Sequence, residues 1–526
     1  MIEISQTIET DVLVVGAGIA GLSCAIEAKS QGLSPLLISK SQVGAGASYF
    51  PLKATLGIQV SGGVADYAYF QQDIERVAQG MANPKIIKAY VEESAQAIAL
   101  LKRIGFKPWK RNDERPACFA KYSRPIFLIN QWRDAAKQAR KILEEKAIAF
   151  YENATLLFIA RAENQVQGAV FAVNISGEFR YIFCKTSQLI LATGGIAGLY
   201  KNNLYPQDVI GSSHFLAKQA GAALTNLEFI QFIPAFVKPK YKVLFGEHTL
   251  KYVIKVTDIR GENLFSELSE QAFKQMMQER SSYAPFSVDF DCVRFDLRIM
   301  QHLLENPQEK GVYLHYSPAL YEDKEEFYRV YLSWLEQDIG IHLCRDRVAI
   351  APFAHSCNGG VVIDEFAQTA VKGLFAVGEV SSCIEGANRL GGNSVGGSLV
   401  FAKRAIRRIL QNLSQERPLV CCSEMIKQAE TYFASLDKPN GDRMLSASEV
   451  LKTVRELMAA FANVYRSEAN LIMLLEELVL LETKFMPLVH HLHQGIEIYH
   501  SLKTAQLVVE AMLARKMSLG AHYRED

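Results

Sequence analysis

Glycines are concentrated in residues 373–397, where a predicted apolar strand is followed by a predicted helix. The strand, at 374–377, leads into Gly378 and Glu379, and the segment Gly-Ala-Asn-Arg-Leu-Gly-Gly-Asn-Ser at 386–394 opens the helix. A backbone with few side chains can lie flat against a planar ligand, and the N-terminus of a helix stabilises negative charge. The spacing therefore predicts a site for a flat ligand that carries negative charge.

A second glycine group stands close to residue 1, again between a strand and a helix. An apolar run at 11–15 precedes Gly16, Gly18 and Gly21, and a helical pattern follows at 22–31. In this context the three glycines permit a tight turn, a close approach of the backbone to a pyrophosphate, and close packing of helix on strand. The segment predicts half of a dinucleotide site, and residues 373–397 look like the second half of a flavin site.

Two further strand ends support a dinucleotide. The strand at 34–39 ends in Ser39 and Lys40, where an NAD site would place an acidic residue. A third buried strand ends in Thr193, Gly194 and Gly195, which suit another close approach to the nucleotide. These strand ends favour FAD over NAD.

These segments resemble the flavoprotein family of succinate dehydrogenase, fumarate reductase and L-aspartate oxidase. The resemblance covers nearly the whole chain and includes Glu228-Phe-Ile-Gln-Phe232, His355-Ser-Cys-Asn-Gly-Gly-Val361, Gly386-Ala-Asn-Arg389 and the segment at 520–526. The block Asn-Arg-Leu-Gly-Gly-Asn-Ser at 388–394 is highly specific. The family implies bound FAD and hydride transfer between a substrate carbon and flavin N5.

The resemblance implies that His355, Arg389 and Arg260 are the catalytic candidates. His355, in a predicted loop, matches the family's substrate histidine, and the planar guanidinium of Arg389 suits a carboxylate. Arg260 matches the arginine of a Thr-Glu-x-x-Arg-Gly loop, although Thr257 stands at the Glu position. Two alternatives remain open: Arg389 pairs with Glu385, four residues earlier at helical spacing, or Arg260 only ties down its own loop.

Other family positions are missing. Where the family has His-Pro-Thr, this chain has Ile-Pro-Ala at 233–235, and the stretch at 285–292 has no arginine in register with the family's proton donor. Arg294 and Arg298 are nearby, but no pattern aims them at the flavin. Because a dicarboxylate needs several fixed donors, succinate and fumarate are not expected as substrates.

The cofactor is expected to be non-covalent FAD. The segment at 47–55 contains Ser48 but lacks the histidine that covalent members of the family carry. Glu379 can accept hydrogen bonds from ribose or ribityl hydroxyls of FAD. The cofactor-binding candidates are Gly16, Gly18, Gly21, Ser39, Lys40, Ser48, Thr193, Gly194, Gly195, Gly378, Glu379, Asn393 and Ser394.

The bulk composition is that of a globular enzyme. The 526 residues include 57 basic and 56 acidic side chains, so neither nucleic acid nor an anionic membrane surface is an expected partner. There is no signal-peptide pattern at the start, and the longest apolar stretch, at 471–481, is interrupted by Glu476 and Glu477, which predicts a buried helix rather than an integral membrane segment.

Cysteines and histidines indicate neither a disulfide framework nor a metal site. Nine cysteines are scattered without a Cys-x-x-Cys pair, which favours a reduced, cytoplasmic protein without its own iron–sulfur cluster. His490, His491 and His493 are interpreted as a helix surface, because no fourth ligand with metal spacing accompanies them.

The predicted fold is α/β, with a Rossmann-like FAD-binding domain, an inserted capping domain and a C-terminal helical domain. Strand–helix alternation indicates the first part of the FAD-binding domain at 1–225 and its second part at 350–415. The cap, at 226–349, is rich in aromatic residues, and 416–526 has helical apolar spacing.

The predicted function is FAD-dependent hydride transfer to or from a small organic acid or amino acid. An L-aspartate oxidase or a fumarate-reductase-like enzyme is the alternative within the enzyme class. An inactive FAD-holding subunit or scaffold is the alternative outside it. The electron acceptor is not indicated by any motif.

Overall fold

A five-stranded parallel sheet lies at the centre of the computed structural model, which describes residues 3–414, 421–436, 445–487 and 492–526. Its strands, in spatial order, are Leu374–Ala376, Leu189–Leu191, Val12–Val15, Pro35–Ile38 and Ala149–Tyr151. The carboxyl ends Val15, Ile38, Leu191 and Ala376 are in register. The glycine and serine groups that follow these strands therefore meet at one edge of the sheet, as in other open parallel sheets that bind ligands.

Helices and a second sheet surround the central sheet and share one hydrophobic core with it. The helices are Ile19–Ser30, Tyr67–Ala78, Pro84–Arg103, Trp132–Glu145, Ser212–Gln219 and Asn393–Leu413. The second sheet contains Ile4–Glu9, Glu178–Lys185, Gln165–Ile175 and Ala154–Ala162, in that order. Two small sheets contain Leu56–Gln59, Ile126–Ile129 and Trp109–Lys110, and Leu224–Thr225, Gly360–Val362 and Ser381–Ser382. The predicted α/β class is confirmed.

The cap has its own sheet and its own core. Its strands, in spatial order, are Val243–Leu244, Ile230–Lys238, Ala349–Cys357, Val312–Tyr316 and Val253–Thr257. The helices Glu270–Arg280, Val293–Glu305 and Glu326–Trp334 pack against this sheet through a cluster of buried apolar and aromatic side chains. The cap thus forms a separate layer beside the central sheet.

His355 lies in a strand, so the predicted loop at this position is wrong. The strand Ala349–Cys357 pairs with Ile230–Lys238, and its register shifts where Ser356 faces Gln231 and Ala354 faces Phe232. His355 is therefore the extra residue of a β-bulge. Bulges re-aim a side chain within a sheet, and this one lies where the cap strand enters the central domain.

Four helices form the C-terminal domain: Cys422–Ser435, Ala447–Phe461, Glu468–Thr483 and Leu492–Ala514. The predicted buried helix at 471–481 is confirmed, because Leu471, Leu474, Leu478 and Leu481 lie on one buried face. No helix in the described ranges is both long enough and apolar enough to cross a membrane.

The predicted histidine surface is only partly described. His490 and His491 lie outside the described residues. His493 is buried, with its ring stacked 3.8 Å from that of Phe179, rather than exposed on a helix surface.

Candidate active site

A cavity of about 510 Å³ opens at the carboxyl edge of the central sheet and extends to the cap. The glycine groups line one part of it, and cap residues such as Phe245 and Tyr331 line another. The cavity thus joins the two segments that the sequence identifies as halves of a cofactor site.

At the nucleotide end, the backbone is shaped for close contact. Gly16 has a φ of +110°, and a Cβ atom at this position would lie 2.3 Å from the carbonyl oxygen of Ala192. The helix Ile19–Ser30 begins beside it, and the hydroxyl of Ser48 accepts a hydrogen bond from the Ile19 amide over 3.1 Å. A narrow glycine turn at a helix N-terminus is the arrangement that binds the pyrophosphate of a dinucleotide.

Most of the predicted cofactor residues line the cavity, and three do not. Gly21 and Gly195 pack against neighbouring groups, with no room for a Cβ atom. The Asn393 side-chain oxygen accepts hydrogen bonds from Gln59 and Tyr90, each over 3.3 Å. The residues that line the cavity are Gly16, Gly18, Ser39, Lys40, Ser48, Thr193, Gly194, Gly378, Glu379 and Ser394.

Two acidic residues that the sequence did not single out stand beside Lys40. The Lys40 ammonium lies 2.8 Å from a carboxylate oxygen of Glu497 and donates to the backbone oxygen of Asp208 over 3.0 Å. Glu497 and Asp208 both line the cavity. The carboxylates at this strand end thus come from distant parts of the chain, which no local pattern indicates.

Glu379 is a buried carboxylate held by the protein. Its Oε1 atom accepts hydrogen bonds from the Tyr205 hydroxyl and, over 3.0 Å, from the Cys357 amide. Burial raises the pKa of Glu379, although these donors and the charges of Arg389 and Lys53 act in the opposite direction. The carboxylate is fixed at the wall of the cavity, so a ligand meets it in one orientation.

His355 and Arg389 lie side by side in the cavity wall. The Arg389 Nη2 atom is 3.5 Å from His355 Nε2, and the buried His355 Nδ1 atom has no hydrogen-bond partner among the described residues. Burial, together with the charges of Lys53 and Arg389, holds the pKa of His355 well below its ordinary value. The imidazole is therefore neutral beside a cation.

Glu385 does not take the place of a substrate carboxylate at Arg389. The helix that follows begins only at Asn393, so residues 385–389 are not at helical spacing. In the described part of the chain, no carboxylate lies within 4.0 Å of the Arg389 guanidinium. Arg389 is thus available to an anionic ligand.

Lys53 is a further residue of this site that sequence reasoning missed. It lines the cavity, its side chain is 5% exposed, and its Nζ atom lies 5.8 Å from the centre of the Tyr205 ring. Burial lowers the pKa of Lys53 to about 8; Glu379 raises it, and Arg389 and Lys242 lower it further. A lysine in an apolar stretch with no motif around it gives no signal in one sequence.

At the cap end, Glu247 belongs to a buried ion-pair network. Its carboxylate lies 2.5 Å from the guanidinium of Arg280, which also pairs with Asp296 over 2.7 Å. Burial raises the pKa of Glu247 to about 7, against the lowering effect of Arg280. The neighbouring His248 packs against Phe327, and burial lowers its pKa to about 3. Both Glu247 and His248 line the cavity.

Arg260 is not brought to the cavity. Its side chain is 68% exposed, and it pairs with Asp258 over 3.1 Å and with Glu262 over 3.2 Å. These residues form the turn after the strand Val253–Thr257, in which Gly261 has a φ of +91°. From this part of the cap, Glu247 does line the cavity. The signal that could have found Glu247 is the Gly-Glu pair at 246–247, one residue after the short strand Val243–Leu244.

Replacing Lys53 with Met is expected to raise the free energy of unfolding at pH 7, by about 3 kcal/mol at most, at 1.36 kcal/mol per pKa unit. The pKa of this amine falls from 10.5 to about 8 on folding. Between these values the unfolded chain binds more protons, so wild-type stability rises with pH there. The advantage of the variant should therefore be complete below pH 8 and disappear towards pH 10.5. Urea unfolding of both proteins at equal FAD saturation measures this, and a pH-independent difference would contradict it.

Comparison with known proteins identifies the family. A family profile described as FAD binding domain matches residues 11–395. A fumarate reductase (CoM/CoB) chain from Methanothermobacter marburgensis is 27% identical over 99% of this chain and 95% of its own length. The L-aspartate oxidase of Clostridium perfringens is 28% identical over 76% of this chain and 86% of its own.

The solved structures agree in fold. A single-site variant of FrdA from the E. coli quinol fumarate reductase superposes with a TM-score of 0.78 at 20% identity, over 99% of this chain and 92% of that one. The glycine cradle, the cavity and the matched family all fit FAD. The chain therefore belongs to the FAD binding domain family, and it is an FAD-dependent oxidoreductase of the group that contains fumarate reductases and L-aspartate oxidases.

Proposed function

We propose that this protein moves a hydride between N5 of FAD and a carbon of a small organic acid, whose carboxylate binds Arg389. The observation that carries the proposal is the Arg389 guanidinium, which faces the cavity beside His355 with no carboxylate of the described chain within 4.0 Å. A guanidinium offers a carboxylate two parallel hydrogen bonds. A bound acid would supply the missing counter-charge.

The charges around Arg389 favour an anion. Lys53 adds a second cation, and His355 is neutral, so it can donate one hydrogen bond without adding charge. Arg389 acts on two buried carboxylates, Glu379 and Glu385, and burial raises the pKa of each. Glu379 is occupied by the Tyr205 hydroxyl and the Cys357 amide. In a buried site of low effective dielectric constant, the attraction between these cations and a carboxylate is stronger than it is in water.

The rest of the cavity supports a substrate with only one firmly held carboxylate. Ile233 lines the cavity at the position where the family resemblance expects a carboxylate-binding histidine. The apolar and aromatic part of the cap wall includes Phe245, Phe327, Val330 and Tyr331, beside Glu247 and His248. An apolar or aromatic wall favours the carbon skeleton of a substrate over a second charge.

L-Aspartate oxidation or fumarate reduction is the second candidate, and one residue favours it. Arg115 lines the same cavity, with its guanidinium 5.3 Å from the centre of the Phe327 ring. It could bind a second carboxylate if the substrate reached across to the cap. The names of the relatives from M. marburgensis and C. perfringens are consistent with such substrates.

Non-covalent binding of FAD is expected to show on denaturation. The segment at 47–55 that reaches the cavity contains no histidine, the residue to which the resemblance assigns the covalent link. When the protein is unfolded in guanidinium chloride and passed through an ultrafiltration membrane of about 10 kDa cut-off, all of the flavin should appear in the filtrate. Flavin retained on the chain, with a matching increase of mass, would contradict this expectation.

A substrate screen with anaerobic flavin spectroscopy tests the proposed function. The FAD-loaded protein is mixed with monocarboxylates, dicarboxylates and amino acids, and bleaching of the oxidised flavin band is followed. Bleaching by an acid that binds Arg389 supports the proposal, with L-aspartate and succinate distinguishing the second candidate. A non-catalytic scaffold would be favoured if FAD stayed tightly bound, no acid bleached it, and no unsaturated acid were reduced when reduced viologen supplied the electrons.

A further inference from the structure

We propose that Lys53 is the acid–base residue of this site, exchanging a proton with the substrate while the hydride moves to or from FAD. The inference rests on the proposed function, because it assumes an organic acid bound at Arg389. It assigns a role to a residue for which the resemblance implies none, in a chain whose stretch at 285–292 lacks the family's proton-donating arginine.

The geometry directs an unpaired amine at the cavity. The backbone of Lys53 is anchored: its amide donates to Phe50 over 3.2 Å, and its carbonyl accepts from the Trp132 indole over 3.2 Å. Its ammonium has no carboxylate within 4.0 Å and no side-chain hydrogen bond in the described ranges. Burying a cation without a partner is costly, and such groups persist mainly where function needs them.

The surroundings of Lys53 keep both of its protonation states accessible. The groups that act on it are Glu379, which favours the ammonium, and Arg389 and Lys242, which disfavour it. The Tyr205 ring lies beneath the amine, and the charge of Lys53 contributes to lowering the pKa of His355. Burial dominates and brings the pKa of Lys53 to about 8. An acid–base group works best when its pKa lies near the operating pH.

Other titratable groups of the cavity are less suited to the role. The imidazole of His355 has a pKa well below the ordinary value, so it does not carry a proton at neutral pH. Burial holds the pKa of Tyr205 well above the ordinary value. Glu247 is the rival, because its pKa is about 7 and it lines the cavity. Its carboxylate, however, is bound to Arg280.

The proposed step balances in both directions. In oxidation, one C–H bond of the substrate breaks and its electron pair leaves with the hydride, which reduces FAD by two electrons. A second hydrogen, on the adjacent carbon or nitrogen, leaves as a proton to the neutral Lys53 amine, and a C=C or C=N bond forms. In reduction, the Lys53 ammonium donates the proton. The ammonium or amine then exchanges its proton with water.

The kinetic test compares Lys53→Met with two matched variants. Lys242→Met removes a lysine that also has a pKa of about 8 but does not line the described cavity, and Glu247→Gln removes the rival group. With the best acid from the screen, Lys53→Met should slow anaerobic flavin reduction roughly 10²–10³-fold. The affinity for malonate, read from the flavin absorbance at about pH 9, where most of the Lys53 amine is neutral, should change less than about fivefold. Lys242→Met removes one of the charges that lower the pKa of Lys53, so it should shift the pH profile towards higher pH but leave the plateau rate within about threefold.

The pH profile separates proton transfer from charge. In the oxidation direction, the wild-type rate should rise with pH, reach half of its maximum near pH 8 and level off about one pH unit higher, following the neutral amine. Lys53→Met should lose this limb, whereas Glu247→Gln should keep it. An unchanged limb in Lys53→Met, or its loss in Glu247→Gln, overturns the proposal. A loss of malonate affinity equal to the loss of rate also overturns it, because Lys53 would then only bind the carboxylate.

A measurement that needs no substrate reads the amine directly. Trace acetylation with acetic anhydride between pH 6 and pH 11, followed by peptide mass spectrometry, gives the titration of Lys53 in the FAD-loaded protein. Half-maximal labelling of Lys53 is expected near pH 8, and the labelling of Lys516, whose side chain is 75% exposed, serves as the reference. Titration of Lys53 together with Lys516 overturns the proposal. A wild-type flavin that no acid reduces, with Lys53 still titrating near pH 8, instead overturns the proposed function.

Discussion

Replacing Arg389 with Met is expected to slow substrate-driven flavin reduction roughly a thousandfold, a loss of about 4 kcal/mol of transition-state stabilisation. Arg389 is the cation next to neutral His355, and it has no carboxylate within 4.0 Å in the described chain. Without it, the substrate carboxylate loses a charge-assisted pair in a buried site and the carbon is no longer held at the flavin. Stopped-flow absorbance under anaerobic conditions measures the effect.

Two control variants test whether the slower flavin reduction is specific to the loss of the Arg389 guanidinium. Arg389→Lys keeps the charge but not the planar fork, so it should recover only part of the rate. Arg404→Met removes an arginine of the following helix that pairs with Glu93 over 2.6 Å and lies outside the cavity lining. It should leave the rate within threefold. If Arg389→Met kept FAD and also kept its rate within fivefold, Arg389 would not be the substrate anchor.

Replacing Gly16 with Ala is expected to abolish stable FAD binding and to lower the free energy of unfolding by roughly 3 kcal/mol. The new Cβ atom would lie 2.3 Å from the backbone oxygen of Ala192, and the φ of +110° is unfavourable for any side chain. The backbone can relieve this clash only by moving away from the pyrophosphate position. The ratio of flavin to protein absorbance after gel filtration, together with urea unfolding, measures both effects.

Gly32→Ala is the matched control. Gly32 also has a left-handed backbone, with a φ of +85°, but nothing lies within 4 Å of a Cβ atom placed there. The control therefore contains the backbone strain without the clash, and it should cost about 1 kcal/mol and leave FAD bound. Equal FAD loss in both variants would show that strain, rather than the close approach of Gly16 to Ala192, determines cofactor binding.

The nucleotide end of the site could be predicted from sequence because its signals are local. Gly16, Thr193 and Gly378 each follow a short apolar strand within two residues, and parallel strands in register place such residues at one edge. The order of the strands did not have to be known for this prediction. For the same reason, the C-terminal helices follow from apolar spacing alone.

The substrate end could be predicted only in part, because its geometry depends on pairing between distant segments. His355 faces the cavity from a bulge that exists only when the strand Ala349–Cys357 pairs with Ile230–Lys238. A short motif predicts that Arg260 belongs to the site. In the structure, however, Glu247, thirteen residues earlier in the chain, lines the cavity and Arg260 does not. A motif with one mismatched position cannot fix the register of a cap loop.

Lys53 shows a different limit of sequence reasoning. A single lysine among apolar residues is usually solvated, and only the surrounding structure reveals that it is buried. Its burial comes from contacts with Trp132 and Tyr205, which are 79 and 152 residues away in the chain. The chemistry of the site is therefore determined by tertiary contacts, even where the cofactor fold is determined locally.

The most direct test of the central claim compares one acid with its primary amide. An acid that bleaches the flavin anaerobically is paired with the amide of the same carbon skeleton, so that only the negative charge at Arg389 changes. The amide is expected to reduce the wild-type flavin at least about a hundredfold more slowly than the acid, and Arg389→Met is expected to lower this ratio of rates to less than about tenfold. Equal rates for acid and amide in the wild-type protein would contradict the claim that a substrate carboxylate is held by Arg389.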